Sequence, residues 1–243
     1  MDLGRGVTLH TEDFTAEREW TAEGIPVLSA SVVLPEPVPA GDKVSRRILR
    51  YYQLQCRSYL SYCQNWLFPQ AEAEYRAALA ASAPLPSFRA ELTYRVTYNS
   101  GGLWSLYTQS RESMGPGRTL LNRRGDTWDL ALGYPVELSR FFPPKTPWKK
   151  RLLALAAEEI HRQEAAGVSQ YRENWRRLLR SKFNAQNYYL TEEGLAFFFP
   201  MLSIAPRAEG IPTFLLPYGE EGAVRPGGQG DPPSPPEDGE TRT

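Results

Sequence analysis

Reactive side chains are scarce in this chain. Histidine occurs twice, as His10 and His161, and cysteine twice, as Cys56 and Cys63. Cys56 and Cys63 fall within a helical pattern, about 10 Å apart along the axis, which is beyond disulfide reach. They are expected to be two buried thiols in a reducing compartment; a metal centre would need two further ligands nearby. No apolar run approaches the roughly 18 residues of a transmembrane helix. The opening MDLGRGVTLHTEDF has no apolar core of a signal peptide, so the chain as written is expected to be cytoplasmic. Excess charge is absent too: 28 Lys and Arg balance 28 Asp and Glu, so bulk charge implies no general attraction to nucleic acid or membranes.

What is present alternates between strand and helix patterns. Residues 1–23 are polar and weakly patterned, and a flexible N-terminus, at most with a short pairing segment, is expected there. Ile25–Leu34 reads as a strand, and Pro35–Gly41 (PEPVPAG) as an irregular connection. From Lys43 the period becomes helical, with Ile48, Tyr52, Cys56, Tyr59, Cys63 and Trp66 spaced by four and three along one face. Pro69 should kink or restart this helix. An aromatic stripe of this kind is expected to cover a sheet rather than cradle a cofactor.

A meander follows. Phe88–Tyr98 alternates, Asn99–Gly102 is a turn, Leu103–Arg111 returns, and Thr119–Leu130 makes a third strand. Two helices come next, the first with an apolar face of Leu152, Leu153, Ala156, Ala157 and Ile160, the second capped at Ser169 and burying Tyr171, Trp175, Leu178 and Leu179. Asn187–Tyr218 then reads as a hairpin and a final strand, with Gly194 expected at positive φ in the hairpin loop. Residues 219–243 are rich in Gly and Pro and are expected to be disordered. Antiparallel strands interrupted by helical blocks give an α+β fold: a meander sheet against a long N-terminal helix and a later helix pair. One folding unit is expected over 24–218, with halves at about 24–130 and 131–218.

The segment YYLTEEGLAFFFP…IAPRAEGIPTFLLPY resembles the C-terminal signature of the RsiV-like domain-of-unknown-function family. The likeness extends upstream through ELTYRVTYNSGGLWSLY and DTWDLALGYPVELSRFFP. In that family the domain is the lysozyme-sensing part of RsiV-type anti-sigma factors, and a related module precedes some peptidoglycan deacetylases. The resemblance therefore implies a non-enzymatic binding or sensing domain of bacterial type, with a protein or cell-wall-related glycan as ligand and an extracytoplasmic habit. Three places depart from the pattern: Met201 and Arg207 stand where tyrosines are usual, and Ser113–Arg118 replaces a turn often rich in Gly and His.

Catalytic and metal patterns are incomplete. Glu158 and His161 make half of a helical metal site, without its second half. Asp126 and Asp129, three apart on a strand, point to opposite faces. Glu192 and Glu193 read as turn-tip charges, and Gly115–Gly117 lacks the strand-to-helix setting of a phosphate loop. No cofactor is implied. The remaining signal is basic: Lys145, Lys149, Lys150, Arg151, Arg162, Arg172, Arg176, Arg177, Arg180 and Lys182 outnumber the glutamates between them. Arg172, Arg176 and Arg180 recur every four residues and are expected to form one ridge that docks an acidic partner. Two other functions fit the same chain: an accessory domain of an envelope or sporulation assembly whose partner carries the catalysis, and a hydrolase with dispersed carboxylates.

Overall fold

A computed structural model describes residues 7–219 and 223–226. Six strands form the larger sheet in sequence order: β1 (Thr11–Ala22), β2 (Ile25–Pro37), β3 (Phe88–Ser100), β4 (Leu103–Ser113), β5 (Thr119–Asp129) and the short β6 (Tyr134–Pro135). Helices α1 (Lys43–Tyr62) and α2 (Phe68–Ala80) connect β2 to β3. The second half contributes α3 (Trp148–Ala165), α4 (Trp175–Lys182) and a three-stranded sheet of β7 (Tyr188–Leu190), β8 (Gly194–Phe198) and β9 (Thr213–Pro217). The α+β class follows directly. The larger sheet is nevertheless not a pure meander, because β2 and β3 pair in parallel from Leu28–Phe88 to Val32–Leu92. The α1–α2 crossover makes that parallel step possible.

Helix α1 begins where Asp42 accepts the amides of Val44 and Ser45. Ile48, Tyr52 and Cys56 then bury against Leu34, Leu92, Trp104, Leu106 and Trp128 of the sheet. A π-helical turn, Cys63–Leu67, separates α1 from α2. It changes the phase of the stripe before Pro69: Cys63, Leu67, Ala71 and Tyr75 face inward, whereas Trp66 is 66% exposed. The sequence pattern, read at constant pitch, placed Trp66 on the buried side.

Three expectations at the ends of elements are corrected. Residues 11–22 are not a flexible terminus but a strand paired with β2 along its whole length. Its inward residues, Phe14, Ala16, Trp20 and Ala22, are few, and every other position is polar, so the pattern is weak. Strand β2 runs on through Pro35 and Pro37, opposite Asp13 and Thr11. Beyond Val32 it has no β3 partner, so a missing proline N–H costs no ladder bond on that side. After β9, Ala223 is fully buried and the Val224 amide donates to the Phe141 carbonyl, so this part of the segment after Tyr218 is anchored. The remainder of the expected disordered tail, 220–222 and 227–243, lies outside the described residues, as do residues 1–6.

The two sheets meet at β7. The Leu190 amide donates to Ser105 Oγ (2.9 Å), which is itself 2.7 Å from Thr127 Oγ1. Tyr188 OH donates to the Val136 carbonyl. On one face of the small sheet Tyr189, Ala196 and Phe198 pack with Tyr107 of β4. On the other, Leu190, Leu195, Phe197, Phe199 and Phe214 form a core with α3 and α4. At this junction a Cβ on Gly125 would lie 1.8 Å from the Tyr188 carbonyl oxygen. Gly194 also answers to a close approach, since a Cβ there would lie 2.3 Å from the Leu216 carbonyl. Its backbone is not left-handed, so crowding by β9, not turn geometry, is what requires glycine.

Candidate functional site

Helix α3 buries Leu152, Ala156 and Ile160, four residues apart, and thereby leaves Leu153 and Ala157 half-covered on its flank. Helix α4 is short and buries only Trp175 and Leu179, again four apart. Between the two flanks lies a groove of about 840 Å³. Its floor is apolar: Trp148, Leu153, Ala157, Trp175 and Leu179. Its rim carries Lys149 and Lys150 from α3 and Arg176 and Arg180 from α4, with no acidic side chain among the lining residues. The Lys149 ammonium lies 5.4 Å from the Phe183 ring centre. The Arg176 guanidinium stands 4.5 Å from the centre of the Trp175 ring and donates to His161 Nε2 at 2.7 Å. Such fixed guanidinium groups beside apolar surface suit a carboxylate attached to an apolar body.

Arg176 and Arg180 therefore stand together, but Arg172 does not join them. Helix α4 starts at Trp175 rather than after Ser169, so the four-residue period is broken between Arg172 and Arg176. Arg172 is instead committed to the crossing loop: its amide donates to the Ile204 carbonyl and its Nη2 to the Leu202 carbonyl. The departing positions Met201 and Arg207 serve the same loop. Leu121 N contacts Met201 Sδ at 3.1 Å, and Arg207 Nη1 donates to the Thr119 carbonyl at 2.6 Å, tying the loop to β5. In the Ser113–Arg118 turn, Arg118 makes a two-pronged contact with Glu74 of α2.

Two carboxylates, Asp126 and Glu112, are buried, each with its own set of donors. Asp126 accepts from Tyr51 OH at 2.7 Å, from Tyr52 OH at 3.4 Å and from Arg124 Nε at 3.3 Å. Burial raises its pKa, partly offset by the Arg124 charge and the phenol donors. Glu112 accepts from Tyr62 OH and Ser110 Oγ, and burial raises its pKa as well. Asp129 instead caps the turn after β5 through the Ala131 and Leu132 amides. Each carboxylate holds an element in place, and Asp126 and Asp129 do not converge. Cys56 and Cys63 are both buried free thiols, and burial pushes the Cys63 thiol up to about 12. Glu158, Glu192 and Glu193 are exposed. Among the described residues no group of three or more His, Cys, Asp or Glu could hold a metal ion. No helix there is long and apolar enough to cross a membrane.

Comparison with known proteins places this site in a recognisable region. Residues 139–219, which hold α3, α4 and the small sheet, match the family described as protein of unknown function (DUF3298). The fold as a whole is similar to that of a DUF3298 family member from Bacteroides fragilis, at 16% identity and a TM-score of 0.63, covering 88% of this chain and 92% of that one. A DUF3298 family protein from Pseudomonas aeruginosa is similar at 16% identity and a TM-score of 0.53, covering 88% and 93%. No curated protein matches. The groove itself was missed in the sequence. Leu153 and Ala157 read in the sequence as part of the buried face of α3, but they lie on its half-covered flank and, with Trp148, line the groove.

Proposed function

We propose that this chain is a non-enzymatic binding or sensing domain of the RsiV-like kind, and that its ligand is a protein segment held in the groove between α3 and α4. The observation that carries this reading is the pairing of an apolar floor with a rim of Lys149, Lys150, Arg176 and Arg180 and no acidic lining residue. An aromatic or aliphatic side chain would fill the floor, and flanking carboxylates would meet the rim. The resemblance of the C-terminal segment to RsiV-like sensing domains supports a binding role, and the volume is in the range of a ligand site.

The reading is tested with fluorescent peptides in which a Trp or Leu is flanked by Glu, compared with the same peptides bearing Lys. Binding of the acidic series should weaken with salt and should fall by about tenfold or more in Arg176→Glu/Arg180→Glu. That variant should keep its thermal stability, because exposed charges contribute little to folding. Equal binding by wild type and variant would overturn the assignment. So would preferential binding of a neutral cell-wall glycan fragment, which would return the ligand to the glycan class.

A further inference from the structure

The exposed side of α1 is of one charge. From Lys43 to Gln70 the chain contains no Asp or Glu, although acidic and basic residues are equal in number over the whole sequence. Lys43, Arg50 and Arg57 recur every seven residues, which is two helical turns, and so form a row. Arg46 lies beside that row, and all four are exposed. The row runs along the side opposite Ile48, Tyr52 and Cys56, the residues that bury α1 on the sheet. Among the described residues these four cations make no ion pair, in contrast to Arg76, Arg118 and Arg162, whose carboxylate partners lie within 2.8 Å. The Arg46 side chain donates only to the carbonyl of Asp42, the residue that caps the start of the helix.

Apolar groups are exposed on the same helical arm. Leu54, between Arg50 and Arg57, is 52% exposed. The π-helical turn swings Trp66 away from the core, where it is 66% exposed. Neither belongs to the hydrophobic core; Leu54 stands among the unpaired cations, and Trp66 lies beyond the C-terminal end of their row. Guanidinium groups suit lipid phosphates, while tryptophan and leucine suit the boundary between headgroups and acyl chains. A single-stranded nucleic acid would want a basic groove with stacked aromatic rings. Helix α1 instead offers a convex ridge with an aliphatic side chain among its arginines.

We infer that α1 is a peripheral docking face for an anionic membrane surface, laid flat with Lys43, Arg46, Arg50 and Arg57 on the headgroups and Leu54 and Trp66 in the boundary. This surface is separate from the α3–α4 groove, because α1 and the small sheet pack on opposite faces of the larger sheet. The inference therefore stands or falls independently of the proposed ligand site.

The test is co-sedimentation with vesicles of equal parts phosphatidylcholine and phosphatidylglycerol, against vesicles of phosphatidylcholine alone. Wild type should bind the anionic vesicles only, with loss on raising salt. Arg50→Glu/Arg57→Glu should bind about tenfold or more weakly. The neutralised Arg50→Gln/Arg57→Gln should fall between them, and it serves if charge reversal perturbs folding. A blue shift of tryptophan emission on binding should disappear in Trp66→Phe. No binding to anionic vesicles, equal binding to neutral ones, or binding unchanged in both arginine variants would overturn the inference. Preference for a single-stranded oligonucleotide with no vesicle binding would overturn it as well.

Discussion

At the scale of single residues, the buried carboxylates are where the chain stores a pH response. Glu112 is 7% exposed, accepts from one phenol and one hydroxyl, and has no cation paired with it among the described residues. Its pKa is raised by burial, so between the ordinary carboxylate value and this raised value the folded chain holds more protons than the unfolded one. Stability contributed at this site therefore falls as pH rises through that window. Glutamine has nearly the same shape and keeps an acceptor for Tyr62 without titrating. The stability of Glu112→Gln relative to wild type should thus be greater at pH 7 than at pH 4, as read from thermal melts at both values. A difference that does not change with pH would show that Glu112 is not held in this raised state. Asp126 differs because Arg124 offsets part of the desolvation, and removing its carboxylate would leave that guanidinium without its partner.

At the scale of elements, contacts between strands are set by two glycines. Alanine at Gly194 would press on the β9 backbone at Leu216 and Pro217, and neither is the flexible end of a side chain. Gly194→Ala should cost about 1–3 kcal/mol, the usual penalty of overpacking. Gly125→Ala faces a still closer backbone atom, the Tyr188 carbonyl oxygen where the two sheets touch, and should be the more damaging. Denaturant melts of both variants check the order; a neutral Gly125→Ala would mean that β7 does not sit against β5 as described. The sequence pointed to Gly194 for the wrong reason and did not point to Gly125 at all. A turn glycine is recognisable from its neighbours in sequence, whereas close approach between strands distant in the chain leaves no local pattern. The same distinction explains Arg172. A four-residue spacing signals a helical ridge only if the helix is there, and its start at Trp175 depends on packing against α3 and on the backbone contact of Arg172 with Ile204. By contrast Ile48, Tyr52 and Cys56, and likewise Leu152, Ala156 and Ile160, were legible because local periodicity alone selects their buried face.

At the scale of the whole molecule, the segment after β9 closes the second core. Ala223 has no exposed surface, Val224 donates its amide to Phe141, and the Arg225 guanidinium lies 5.1 Å from the Tyr218 ring centre. Composition marked this stretch as a tail, because one alanine among glycines and charges has little pull of its own. A chain ended after Tyr218 should melt about 2–6 °C below one kept through Pro226. Equal melting temperatures would show that the Ala223 contact contributes nothing measurable.

The parallel pairing of β2 with β3 has a consequence for how quickly the native state can be reached. The other neighbours in the larger sheet are joined by short turns, so their contacts are local in sequence. Leu28 and Phe88 can meet only after the whole α1–α2 excursion has folded back, which imposes a loop-closure entropy that the hairpins avoid. Until that closure, β2 and β3 each present an unpaired backbone edge, the kind of surface on which chains associate. The aromatic face of α1 is thus more than a cover for a finished sheet. By drawing the two hairpins together it shortens the interval in which those edges are open, and weakening it would raise the risk of aggregation during refolding as well as lowering the final stability.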